Sequence, residues 1–237
     1  MAQITAAMVK QLREMTDSPM MECKKALVEA DGDMDAAVDV LRKNGLAKAA
    51  KKAGRETNEG AVAAFVSEDS KTGALLELSC ETDFVGSNAK FTGFATNVAE
   101  VVATTEPADL DALLAAPMNG ATVSEELTEM IHVMGENMKI ARFAARKVET
   151  GALSTYIHMG GKIGVMVEFA FEKPETASAD AFKTFAHDVA LQVAAAAPIC
   201  ATREQVPAET VAHEKEIYIA QAAESGKPEA IQEKMAV

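Results

Sequence analysis

Between Leu75 and Val102 the hydrophobic period of the chain changes, and that change restricts the fold more than any other feature. Leu76, Leu78 and Cys80 alternate with Leu75, Glu77, Ser79 and Glu81, the two-residue period of a strand. Farther on, Phe91, Phe94, Ala95, Val98, Val101 and Val102 recur about every 3.6 residues, as on one face of a helix. Ser87 or Asn88 can cap that helix, since a short polar side chain can accept a hydrogen bond from a free N–H of its first turn. Cys80-Glu81-Thr82-Asp83-Phe84-Val85 is therefore a strand-to-helix connection carrying a carboxylate and an aromatic ring. Such connections can be presented to another molecule by the rigid elements beside them. Two readings are open: Phe84 or Val85 packs locally onto Phe91, or Phe84 points outward. Pattern alone favours local packing, because exposed aromatics are the exception.

The same alternation of strand and helix signals runs along the chain. Residues 61–68 and 74–80 read as strands joined by a polar turn around Lys71-Thr72-Gly73. A second strand set begins near Ile140 and is clearest at Leu153, Thr155 and Ile157, opposite Ser154, Tyr156 and His158. Gly160-Gly161 predicts a two-residue hairpin turn before Ile163, Val165, Val167 and Phe169, because glycine supplies the positive φ such turns need. Helical patterns occupy about 110–115 and 124–134, then about 179–196 and 208–224, these last two split by Pro198 and Pro207. The fold class is α+β, built on antiparallel sheets.

Residues 1–45 read as a compact three-helix unit. Thr5 caps the first helix, Asp17-Ser18-Pro19 opens the second, and the third ends at Gly45. Lys48, Lys51, Lys52 and Arg55 make residues 46–60 a basic linker, whose charges need no partner. The rest divides into a core N-subdomain over 61–137, a C-subdomain over 138–178 and a helical hairpin over 179–237. Ile231 and Met235 carry an apolar helical pattern to Val237, so the hairpin reads as truncated.

With a formal net charge of -13, the surface repels nucleic acid and anionic membrane; neither is an expected direct partner. No segment is apolar for the ~20 residues a spanning helix needs, and the first residues lack a signal peptide's apolar core. Cys23, Cys80 and Cys200 are odd in number and widely spaced, which fits a reducing compartment, the cytoplasm. Gly160-Gly161-Lys162 lacks the leading glycine and the trailing Ser or Thr of a phosphate-binding loop. The histidines and cysteines fall at no zinc-ligand spacing, and no nucleophile elbow is present. No cofactor and no metal are expected.

Attention moves to residues that could act by contact. Met20 and Met21, adjacent on a helix and about 100° apart around it, cannot both centre one apolar stripe. Either both are core within a wide stripe or one lies at its edge, where a soft side chain suits a partner. His158, sharing a strand face with Tyr156, reads as a hydrogen-bonded edge residue or as an exposed wedge, with pattern favouring the first slightly. A rival enzyme reading would assemble a site from Cys80, Asp83 and His158.

At these residues the chain resembles the bacterial translation elongation factor Ts family. The likeness rests on the run from Thr5 to Arg13, on Met20-Met21-Glu22-Cys23-Lys24-Lys25-Ala26-Leu27, on Gly32-Asp33 and on Ala47 to Gly54. It continues through Thr82-Asp83-Phe84-Val85, Gly135-Glu136-Asn137, Ile140, the Tyr156–Val165 hairpin and Ser225-Gly226-Lys227-Pro228. The resemblance implies an amino-terminal ubiquitin-associated-type domain, a two-subdomain core and a coiled-coil hairpin. It also implies a non-enzymatic guanine nucleotide exchange factor whose partner is the GTPase elongation factor Tu. On that resemblance Lys10, Arg13, Met20 and Met21 grip the GTPase domain, Asp83 and Phe84 enter near its magnesium and phosphate site, and His158 helps wedge it. Asp17-Ser18-Pro19 replaces the family's Gly-rich approach to the paired methionines, and the return strand and tail of longer members are expected to be missing. Self-association is left open, and the alternative is a polypeptide-binding adaptor without exchange activity.

Overall fold

The computed structural model describes residues 3–224 and residue 231. Three helices open the chain: α1 (Ala6–Thr16), α2 (Met20–Glu29) and α3 (Met34–Lys52). Thr5 caps α1, its hydroxyl accepting from the Met8 N–H at 3.3 Å, and the Asp33 carboxylate accepts from the Ala36 N–H at 2.8 Å to start α3. Val9, Leu12, Cys23, Ala26, Leu27, Ala37 and Leu41 bury one small core between them.

Gly45 does not stop α3. The helix runs on to Lys52 because Leu46-Ala47-Lys48-Ala49-Ala50-Lys51-Lys52 is a run of strong helix formers, enough to carry a glycine that costs about 1 kcal/mol. The stretch expected as linker is thus the end of a helix, a short connection and the first residues of the next strand.

A three-stranded antiparallel sheet follows, in the order β1 (Glu59–Val66), β2 (Thr72–Cys80), β5 (Met138–Lys147). The connection between β1 and β2 is Ser67–Lys71, not Lys71–Gly73: the Ser67 hydroxyl accepts from the Thr72 N–H at 2.9 Å, and Asp69 accepts from the Lys71 N–H at 3.0 Å. After the short α4 (Asp83–Gly86), helix α5 (Ala89–Thr105) lays Phe91, Phe94, Ala95, Val98 and Val102 on the Leu76, Leu78, Cys80 face of β2. Helix α6 (Leu110–Ala115), the small ribbon β3 (Pro117–Met118) and β4 (Ala121–Thr122), and α7 (Val123–Met134) cover the end of this core. Strand β5 was expected to begin the second strand set; it instead completes the first sheet, with Leu78 opposite Ile140 and Cys80 opposite Met138. Pairing across so long a sequence separation leaves no local mark.

Strands β6 (Ala152–His158) and β7 (Ile163–Phe169) form a separate antiparallel hairpin. With His158 opposite Ile163, the connection is Met159-Gly160-Gly161-Lys162, longer than the two-glycine turn expected. Beyond a 3-10 turn at Pro174–Ser178 come α8 (Asp180–Ala196) and α9 (Ala208–Ala223). The chain divides into two compact units, Met1–Ala194 and Ala195–Val237. Ser225-Gly226-Lys227-Pro228 and Met235 lie outside the described residues.

The three-helix unit packs on α7 through buried polar groups. His132, 3% exposed, places Nε2 3.2 Å from the Ser18 hydroxyl and 3.4 Å from Glu22, which also pairs with Lys48. Burial outweighs the attraction of Glu22 and lowers the His132 pKa, with Lys48 and Lys52 acting the same way as burial. A base depressed by folding adds stability above its unfolded pKa of about 6.5, and that stability is lost as pH falls through the lower folded value. Urea midpoints measured at about pH 7.5 and about pH 5.5 should therefore fall on acidification, and fall less in His132→Gln. Equal falls in parent and variant would remove His132 from the cause.

Candidate functional site

The connection after β2 is a held turn that points its aromatic ring away from the protein. Thr82 caps α4, its hydroxyl accepting from the Val85 N–H at 3.3 Å, and the Ser87 hydroxyl donates to the Asp83 carbonyl at 2.9 Å. Neighbouring residues on a helical turn point about 100° apart, so the two apolar side chains cannot share a direction. Val85 is buried in the core that holds Phe91, while Phe84 is 79% exposed. Of the two candidates Val85 enters the core to which Phe91 belongs, and Phe84 stays outside it. Asp83 is exposed beside it.

Two other parts of the chain hold this turn. The Glu136 carboxylate accepts from the Thr82 hydroxyl at 2.7 Å and from the N–H groups of Thr82 and Glu81 at 3.0 and 3.2 Å. Gly86 is buried against Gly60 of β1, so close that an added Cβ would lie 3.3 Å from the Gly60 Cα. Asn88, the second of the two candidate caps, accepts from the Lys90 N–H at 2.9 Å and starts α5.

The β6–β7 hairpin reaches the same end of β1. The Gly161 carbonyl accepts from the Val62 N–H at 2.7 Å, and Lys162 pairs with Glu59 at 2.6 Å. The hydrogen bond to Glu59 raises the Lys162 pKa, with Asp83 adding to the rise. Asp83 and the hairpin tip therefore lie within electrostatic reach of each other. His158 is half-buried, its Nδ1 2.9 Å from the Tyr156 hydroxyl, and the Tyr156 ring meets His187 of α8 edge-on at 5.6 Å. Met159, the next residue, is 72% exposed; sequence pattern passed over it because it sits in the turn.

Lys10, Arg13, Met20 and Met21 gather on α1 and α2 of the three-helix unit. Lys10 and Arg13 are exposed, Lys10 pairing with Glu14 at 3.6 Å. Neither methionine is core, against the reading that put at least one inside: Met20 is 54% and Met21 62% exposed. Cys23, Ala26 and Leu27 supply the buried face of α2, and the helix begins at Met20, so the stripe's first residue overhangs that small core. Met15 and Val28 are also exposed. An ion pair of 3.1 Å between Asp17 and Lys90 joins the turn before Met20 to the start of α5.

This surface offers contact more readily than covalent chemistry. Burial, reinforced by Glu136, pushes the Cys80 thiol up to about 11, which keeps it from acting as a thiolate at neutral pH. The proposed trio of Cys80, Asp83 and His158 thereby loses its nucleophile. Among the described residues no group of His, Cys, Asp and Glu is arranged to hold a metal ion, and no helix is long and apolar enough to cross a membrane.

A family model described as Elongation factor TS matches residues 81–237. Similar proteins include the elongation factor Ts of Clostridium perfringens, 53% identical over 154 residues, which are 65% of this chain and 51% of that protein. That of Thioalkalivibrio sulfidiphilus is 50% identical over 148 residues, 62% of this chain and 50% of its own. The Bordetella petrii protein is 48% identical over 157 residues, 66% and 53% respectively. The chain spans about half the length of the curated relatives it matches.

Proposed function

Because the chain belongs to the elongation factor Ts family, we propose that it is a guanine nucleotide exchange factor for elongation factor Tu, acting by protein contact and catalysing no covalent step. In finer detail, α1–α3 form the ubiquitin-associated-type domain. The β1–β2–β5 sheet with α5 and the β6–β7 hairpin are the two subdomains of the core. Lys10, Arg13, Met20 and Met21 hold the GTPase. Asp83 and Phe84 enter near its magnesium and phosphate groups, and His158 with the hairpin tip wedges the same region. One observation carries the reading: Phe84 is 79% exposed on a turn fixed by a cap, a carboxylate clamp and a glycine contact. An ordered ring left in water has no packing role in its own chain, and it suits a partner.

The mechanism is differential binding. Contacts that fit a GTPase conformation unable to hold magnesium and diphosphate weaken nucleotide binding, and nucleotide weakens the factor's binding by the same ratio. Asp83 brings negative charge towards a site that must keep a cation and a polyanion together, while Phe84 supplies the apolar area that holds the altered conformation. Release of labelled GDP from elongation factor Tu, with and without the chain, tests the proposal. An acceleration of about tenfold or more is expected, the size of ordinary coupling energies. Binding without acceleration would replace the proposal with the adaptor reading.

A further inference from the structure

Glu136 lies outside the residues given contact roles above, yet it holds the turn that presents two of them. β2 and β5 end their ladder at Cys80 opposite Met138, and just beyond that pair each strand end binds the other's backbone. From the β5 side, Glu136 accepts the Thr82 hydroxyl at 2.7 Å and the Thr82 and Glu81 N–H groups at 3.0 and 3.2 Å. From the β2 side, Glu81 accepts the Asn137 N–H at 2.6 Å and Arg55 at 3.3 Å, while the Asn137 side-chain amide donates to the Arg55 carbonyl at 2.9 Å. Asn137 is 1% exposed, so this crossed clamp is anchored at its base.

The Thr82 hydroxyl is the hinge of the arrangement. It has one proton and two lone pairs. The proton goes to Glu136, which leaves a lone pair to receive the Val85 N–H at 3.3 Å and start α4. Helix α4 has four residues, too few to set its own direction, since an isolated turn of helix is unfavourable. Its direction follows from the cap that the carboxylate holds, together with the burial of Val85 and the contact of Gly86 with Gly60. A carboxylate accepting hydrogen bonds is also a stronger partner than a neutral oxygen.

We propose that Glu136 is a positioning residue for nucleotide exchange: by fixing Thr82 it aims Phe84 and Asp83 at the partner. This rests on the reading of that turn as the wedge, and the test keeps the two apart. In the free chain, Glu136→Ala should speed hydrogen exchange at the amides of Thr82 and Val85 while leaving the α5 amides protected, whatever the chain's function. With elongation factor Tu, Glu136→Ala should slow GDP release at saturating factor by about tenfold, as small misplacements of a working group do. The half-saturating concentration should change less, and Glu136→Gln, which keeps an acceptor for the two N–H groups, should recover part of the loss.

A double-mutant cycle separates positioning from general support. Because Glu136 acts through the ring and the carboxylate that it aims, adding Glu136→Ala to the Asp83→Ala, Phe84→Ala double variant should slow release little further. Losses that multiply, or a Glu136→Ala protein that exchanges at the parental rate while Phe84→Ala is slow, would overturn the proposal and leave the wedge standing. No acceleration by the parent chain would instead reject the wedge, and the amide exchange would still decide the clamp. Should Glu136→Ala fail to fold, Thr82→Val and Thr82→Ser carry the same cycle, the first expected slow and the second near parental. A Thr82→Val protein at the parental rate would then overturn the proposal.

Discussion

Phe84→Ala should melt within about 1 kcal/mol of the parent and yet release GDP from elongation factor Tu about tenfold more slowly or worse at saturating factor. The two halves of this result have separate causes. The ring is 79% exposed, so its removal opens no cavity; a ring in the core would cost roughly 3 to 5 kcal/mol. If the ring is the wedge proposed, the kinetic loss must persist at saturation, because its contact would favour the nucleotide-poor conformation and add more than docking affinity. Asp83→Ala should act in the same direction. Val85→Ala makes the contrast: that side chain is buried, so its truncation should cost on the order of 2 kcal/mol in stability. Thermal melts and stopped-flow release on the same samples check both halves. A Phe84→Ala protein that melts normally and exchanges at the parental rate would end the wedge reading.

Gly60→Ala is expected to be among the most damaging single methyl groups that could be added to the described glycines. Gly60 has φ +142°, and an added Cβ would lie 2.2 Å from the Leu78 carbonyl oxygen and 2.7 Å from the Ser79 Cα. Neither neighbour is a side chain that can swing away. A backbone conformation so unsuited to a β-carbon costs about 1 to 3 kcal/mol by itself, and relieving the clash must also part β1 from β2. A total loss on the order of 3 kcal/mol or more follows. Since Gly86 rests on Gly60, the turn bearing Phe84 should shift as well and exchange should weaken in the fraction that folds. Gly120→Ala is the control, with positive φ but nothing within 4 Å of the added atom. Denaturant melts of both variants decide the matter: a Gly60→Ala protein no less stable than Gly120→Ala would contradict the geometry.

What the sequence made legible was whatever local chemistry determines. Thr5 and Asn88 cap the helices assigned to them, Leu110–Ala115 is helical as its pattern required, and Leu76, Leu78 and Cys80 point into the core. The misreadings have physical causes too. Ile140 alternates as any strand would, and nothing in its neighbours says that β2 is its partner. Gly45 looked like a stop because its own propensity is poor, while the helix formers after it and the His132 surface beside it decide otherwise. Phe84 and Val85 were both candidates for the core, and only the short helix started by Thr82 chooses between them. Glu136 was visible as part of a motif, but its hold on Thr82 depends on a meeting of two strand ends.

The unbroken run of α3 alters how the two contact sets would be used. A helix of 19 residues is roughly 28 Å of stiff rod; its first half belongs to the small core through Ala37 and Leu41, and with the docking of that unit on α7 it joins the methionine-bearing α2 to the sheet that carries Phe84. A flexible tether would let the second contact wander, so that the first engagement raises its effective concentration only to about the millimolar level. A rod that spans the required distance confines the search to small angles and makes engagement of one end a delivery of the other. The same stiffness makes spacing unforgiving. One residue added to α3 would turn one set relative to the other by about 100°, and tight binding would then require a partner reshaped to match.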